Sequence, residues 1–136
     1  MKIGVDTNVL FYAVNRNNPF HDEAKKTLEW LVKRRIAVIT QQNVVELVAA
    51  LTKRGVSLKE ALEIAGKYRE AMPVLRPVAE TIDVFFEKAS STKLKASRLF
   101  DVFLASTLLS NGVEFLFTYN EKDFQNIPEL KLWRPA

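Results

Sequence analysis

The chain has 136 residues, 48% hydrophobic and 26% charged, a balance that fits one globular domain over 1–136 and excludes disorder. It has no cysteine, which removes disulfides, thiolate nucleophiles and zinc–sulfur sites, and its single histidine, His21, is too little for a histidine-rich metal centre or a Ser-His-Asp triad. Twenty Lys and Arg against 16 Asp and Glu leave a net charge of +4, mildly basic and compatible with a polyanionic partner, so any catalysis is expected to run on carboxylates.

The N-terminal apolar run is interrupted by Asp6 and Asn8 and has no basic segment before it, unlike a signal peptide. The longest uncharged run, Val102 to Val113, falls short of the ~20 residues that cross a bilayer. The expectation is a cytoplasmic protein with no membrane partner.

In chain order, Lys2–Val5 reads as a buried strand, and "FHDEAKKTLEWLVKRR" as a helix with Phe20, Ala24, Leu28 and Leu31 on one face. Ile36–Ile39 is a second strand, and "NVVELVAALTKR" a helix stopped by Gly55. Ser57 and Glu60 have capping-box spacing and open a helix to about Ala71. "VLRP" ends a third strand. Helical spacing then returns through Val78, Ile82, Phe85 and Ala89. "RLFDVFLASTLLSNG" is a strongly apolar helix ending at Gly112, and "EFLFT" and "LKLW" are further short strands. The aromatics of "VFF" and "FLF" have the spacing of core residues. Buried strands alternating with helices imply parallel pairing covered on both faces: an α/β fold, a three-layer α/β/α sandwich with a four- or five-stranded parallel sheet. Ligands in such folds sit beyond the carboxyl ends of the strands.

Three acids stand alone in apolar surroundings. Asp6 follows the first strand, Glu46 is the only charge from Ile36 to Thr52, and Asp101 the only charge from Leu99 to Asn111. An isolated carboxylate is costly to desolvate. Each has an ordinary structural explanation: Asp6 as a helix cap, Asp101 as a favourable first-turn charge, Glu46 as a side chain reaching solvent. Taken together, three acids from three elements can meet at the sheet edge, where a divalent cation relieves their mutual repulsion. Oxygen-only ligands suit Mg²⁺ or Mn²⁺, and the chemistry that arrangement serves best is phosphodiester hydrolysis. "FTYNEKDF" adds Thr118, Asn120 and Asp123 after a later strand; Asn120 and Asp123 are candidates to assist, although both are also ordinary loop residues. Lys93, Lys95 and Arg98 in "KASSTKLKASR" could hold a nucleic-acid backbone near the acids, or simply face solvent.

"VDTNVL" after the first strand, "VVEL" on the helix after the second, "FDVFLAST", and "TYNEKDF" near the C-terminus together resemble PIN-domain nucleases, and most of all VapC-type toxins of toxin–antitoxin pairs. The resemblance runs from Ile3 to about Phe124. It implies a metal-dependent ribonuclease with Asp6, Glu46 and Asp101 as the acid core, oriented by Thr7 and Asn8. It also implies homodimers and a cognate antitoxin that inserts a segment into the active-site groove. Asn120 stands where many members carry a fourth acid, Asp123 occupies the "DF" position, and Leu99 and Phe100 replace the polar residue often found before the third acid. A catalytically weak PIN-like scaffold that binds RNA or protein is the alternative. A receiver-like phosphate-accepting domain fits less well, because Lys122 lies too far into its loop.

Overall fold

The computed structural model describes residues 1–90 and 94–136. Among these the chain forms β1 (Ile3–Val5), α1 (Thr7–Val14), α2 (His21–Lys33), β2 (Ala37–Thr40), α3 (Gln41–Lys53), α4 (Leu58–Ala71), β3 (Val74–Leu75), α5 (Thr81–Ser90), α6 (Leu99–Ser110), β4 (Phe115–Phe117) and β5 (Lys131–Leu132). Two 3₁₀ turns, Ala96–Arg98 and Glu121–Phe124, precede α6 and follow β4.

The sheet has five strands in the order β3-β2-β1-β4-β5, every pairing parallel. The chain winds outward from β1 through β2 to β3, then crosses to β4 and β5 on the other side. The order therefore reverses between β1 and β4, and a crevice opens at their carboxyl ends.

Strand alternation assigns the two faces. Ile3, Val5, Ala37, Ile39 and Phe117 pack with residues of α1 to α4, while Val38 and Leu116 pack with α6 and the C-terminal segment. Gly4 sits on the α6 face, where a Cβ would come within 2.9 Å of both δ-methyls of Leu108. Its missing side chain lets α6 lie close on the sheet. The uniformly apolar sequence of α6 has the same origin, because Val102, Leu104, Ala105 and Leu108 are all buried. Burying one such leucine contributes roughly 1.5–3 kcal/mol. The hydroxyls of Ser106 and Thr107, buried among them, donate back to the carbonyls of Val102 at 2.7 Å and Phe103 at 3.2 Å.

The expected strands and helices are present, with local differences. Phe20 does not share the buried face of α2: it precedes the helix, is 47% exposed, and stacks on Tyr119 with ring centroids 4.6 Å apart. Val78 lies outside α5 and, like Ile82 and Phe86, is exposed, so only part of the "VFF" aromatic run reaches the core. Ser57 caps α4 by accepting the Glu60 backbone N–H at 3.1 Å, but the reciprocal capping box is at α3, between Thr40 and Asn43. Gly55 and Gly112, with φ of 91° and 77°, take the left-handed conformation just past α3 and α6.

Candidate active site

The site starts at the end of β1. Asp6 donates its backbone N–H to Phe117 O at 3.0 Å, which fixes it beside β4, and its Oδ1 accepts the Thr7 N–H at 2.8 Å as the cap of α1. Its Oδ2 accepts from the Thr118 hydroxyl at 2.8 Å and from Asn8 Nδ2 at 3.3 Å. Asn8 also donates to Thr118 Oγ1 at 3.2 Å and accepts the Tyr119 N–H at 3.1 Å, while Thr118 Oγ1 accepts the Asn120 N–H at 3.0 Å. Asp6 is thus both a helix cap and the buried centre of a network spanning the switch point. Neither reading displaces the other.

Glu46 projects from the middle of α3, one and a half turns past its capped start. Its Oε1 accepts the Thr7 hydroxyl at 2.9 Å and its Oε2 accepts Gln42 Nε2 at 3.1 Å. Thr7 is steadied in turn by Asn43 Nδ2 at 3.0 Å. Gln42 reaches across to the carbonyl of Phe100 at 2.8 Å, which ties α3 to the first turn of α6. Asp101 is the third residue of α6, and Asp123 lies on the turn after β4.

Asp6, Glu46, Asp101, Asp123 and Asn120 line one groove of about 390 Å³, together with Thr7, Asn8 and Lys53. Four acids from four segments therefore face a common space at the carboxyl edge of the sheet. Thr118 stands behind them, buried, and is the hydroxyl that holds Asp6. Asn120 is exposed at the groove's rim. Lys95 is exposed on the turn before α6, and Lys93 lies outside the described residues. Arg98 is turned inward: its guanidinium bonds Asp123 and stands 3.8 Å from Asp101 Oδ2. Leu99 and Phe100, the two apolar residues that precede Asp101, face solvent, with Phe100 69% exposed.

The acids perturb one another. Burial pushes the Asp6 carboxyl up to about 6; the Thr118 and Thr7 donors pull it down, and Glu46 and Asp123 raise it further. Asp101 is also pushed up to about 6, first by burial, then by the charges of Asp123 and Asp6, against the opposing effect of Arg98. Among the described residues no three His, Asp or Glu side chains form a ready-made metal cage. Both oxygens of Glu46 are occupied by neutral donors, and Asp101 and Asp123 face Arg98. The donor chemistry nonetheless suits a hard divalent cation: every candidate ligand is a carboxylate or amide oxygen, and the acids carry a charge conflict that a cation relieves. His21 does not compete, since its Nδ1 pairs with the carbonyl of Tyr12 at 2.8 Å.

Sequence reasoning missed Gln42, Asn43 and Lys53. Asn43 and Gln42 had readable signals, the capping spacing from Thr40 and the i,i+4 spacing from Glu46, whereas the Gln42–Phe100 bond and the place of Lys53 in the groove had none.

The PIN domain family model matches residues 3–130 of this chain. Ribonuclease VapC24 of Mycobacterium tuberculosis is 30% identical over 142 residues, covering 98% of this chain and 96% of that protein. Among solved structures, VapBC2 from Rickettsia felis bound to a promoter DNA fragment aligns with a TM-score of 0.76 at 20% identity over all of both chains. The DNA-bound VapBC of Salmonella typhimurium gives 0.75 at 14% identity, covering 98% of this chain and 97% of that one. VapC20 of M. tuberculosis, a sarcin-ricin loop cleaving toxin, gives 0.70 at 16% identity, covering 90% and 92%.

Proposed function

Because this chain belongs to the PIN-domain family, we propose that it is a divalent-metal-dependent endoribonuclease acting as the toxin of a VapBC-type toxin–antitoxin pair. One observation carries the reading: Asp6, Glu46, Asp101 and Asp123, up to 117 positions apart in the chain, line a single groove at the switch point of the sheet. The ribonuclease named among its relatives and the VapBC complexes that share its fold support the same assignment.

In this reading Asp6, Glu46 and Asp101 hold Mg²⁺ or Mn²⁺ with help from Asp123 and Asn120. Such a cation, when bound, would supply a water of lowered pKa and positive charge opposite the phosphate. Thr118 and Asn8 keep the Asp6 carboxylate facing the groove, and Thr7 does the same for Glu46. Lys95 and Arg98, with Lys93, hold the RNA backbone without specifying sequence. The partners are RNA, a cognate antitoxin and a second copy of the chain, and the working compartment is the cytoplasm. No helix among the described residues is long and apolar enough to cross a membrane.

Cleavage of end-labelled RNA with and without Mn²⁺ tests the assignment, with Asp6→Asn as control. The wild type is expected to cut only with metal and the variant not at all. Equal cleavage by both would remove the enzyme reading, and tight RNA binding without turnover would favour the scaffold.

A further inference from the structure

The four groove acids are held in two different ways. Asp6 and Glu46 are held by hydroxyl, amide and backbone donors, which leave their negative charge in place. Asp123 and Asp101 instead face Arg98, the one cation among the described residues in ion-pair contact with a groove acid. Arg98 reaches them from the short turn Ala96–Arg98 that leads into α6, and its side chain stays 42% exposed. A partly exposed ion pair of this kind is weak and exchangeable.

Arg98 also lines a second cavity, of about 560 Å³, which shares Asn120 and Asp123 with the acid groove. There Glu121 is paired with Arg134 and Glu23 accepts the Tyr119 hydroxyl, leaving Lys122 and Arg98 as the cations for an anion. Its guanidinium thus stands between a place that needs positive charge and one open to solvent. A planar fork of donors suits a carboxylate and a phosphate equally well.

We propose that Arg98 is a removable counter-ion: it holds Asp101 and Asp123 until a divalent cation takes them, then turns into the adjoining cavity to hold the RNA phosphate. This rests on the metal-dependent ribonuclease reading and adds an exchange step to it. Metal and arginine compete for the same oxygens, so metal affinity is set partly by the strength of the Arg98 pair. The arginine released by that exchange is what the substrate phosphate meets.

The test is calorimetric titration of Mn²⁺ into wild-type protein and Arg98→Met, which keeps the aliphatic stem and removes the charge. The variant is expected to bind Mn²⁺ about fivefold more tightly, the scale of one exposed ion pair. At saturating Mn²⁺ its KM for RNA should rise about fivefold, with kcat changing less. Arg98→Lys, which keeps charge but not the fork, should shift both quantities in the same directions by a smaller factor, and it substitutes should Arg98→Met fail to unfold cooperatively. Equal or weaker Mn²⁺ binding by the variants, or an unchanged KM, overturns the exchange while the ribonuclease reading stands. Absence of Mn²⁺ binding by wild type and variants alike overturns both.

Discussion

The hydroxyl of Thr118 donates to Asp6 Oδ2 at 2.8 Å, a bond between residues 112 positions apart that ties the end of β4 to the end of β1. It is the second-largest influence on the Asp6 carboxyl and the largest one favouring its ionised form. Thr118→Val removes the donor and keeps the shape. The Asp6 pKa should then rise above about 6, since the bond serves the charged form. Destabilisation follows the same sign: about 1–3 kcal/mol at pH 8, where Asp6 is ionised, shrinking below pH 5, where it is neutral in both proteins. Urea denaturation at the two pH values reads the difference. An equal cost at both would show that the bond serves packing and not charge.

Asp101 gives the opposite sign. Its carboxyl is pushed up to about 6, first by burial and then by Asp123 and Asp6, so folding disfavours its charged form. A raised carboxyl contributes stability below its unfolded value near 3.8, and that contribution is lost as pH rises through about 6. Asp101→Asn should therefore stabilise the metal-free protein at pH 7.5 by about 1 kcal/mol, discounted for the group's partial exposure, and have little effect near pH 4. Mn²⁺ should raise the Tm of the wild type more than that of the variant. A simple helix-end charge would behave the other way, with a loss of stability on substitution and no response to metal.

The layered fold and the three solitary acids were legible because burial leaves a mark in sequence: a strand covered on both faces loses its charges, and any that remain stand out. Asp6 was conspicuous for that reason at the end of β1, and Asp101 for the same reason on the mostly buried helix α6. Glu46 stood out as the lone charge of an apolar run in α3, although that helix also exposes Val45. The relations among them were not. Arg98 read as one member of a basic stretch because nothing in "KASSTKLKASR" says that the turn before α6 aims its last cation at Asp123. Gln42 was half legible: its i,i+4 spacing from Glu46 places the two on one helix face, whereas its bond to Phe100 O exists only when α3 and α6 are brought together. Phe20 misled because it continues a helical pattern that begins one residue later, and Tyr119 gives it a stacking partner outside the core.

Gly4 tests whether the close approach of α6 matters. A methyl there would stand 2.9 Å from both δ-carbons of Leu108, closer than side chains pack, whereas a methyl at Gly66 meets nothing within 4 Å. Gly4→Ala should cost about 1–3 kcal/mol by overpacking. The strain falls on the Leu108 side chain, so two outcomes separate. If α6 moves with it, Asp101 moves too and RNA cleavage should fall, whereas if Leu108 alone re-orients, stability falls and cleavage does not. Gly66→Ala, inside α4, should instead add roughly 0.5–1 kcal/mol through helix propensity and leave cleavage unchanged. Thermal unfolding of both variants, with cleavage assayed well below their midpoints, separates the two effects.

Asn43 joins the capping of α3 to the placement of Glu46. Its Oδ1 accepts the Thr40 backbone N–H at 2.9 Å, its own N–H reaches Thr40 Oγ1 at 3.1 Å, and its Nδ2 donates to Thr7 Oγ1 at 3.0 Å. Only the last of these reaches the site, since Thr7 in turn donates to Glu46. Asn43→Ala removes half the capping box and leaves the Thr40 N–H buried without its acceptor, a loss of about 2–3 kcal/mol. It also frees the Thr7 hydroxyl to turn away from Glu46. Asn43→Asp keeps the acceptor for Thr40 but puts a buried carboxylate oxygen where the donor to Thr7 was, so it should retain more of the cap while competing with Glu46 for the Thr7 hydroxyl. Mn²⁺ titration of the two folded variants is expected to show weakened binding in both, despite their different stabilities. Binding that instead tracks stability would make Asn43 a cap and nothing more.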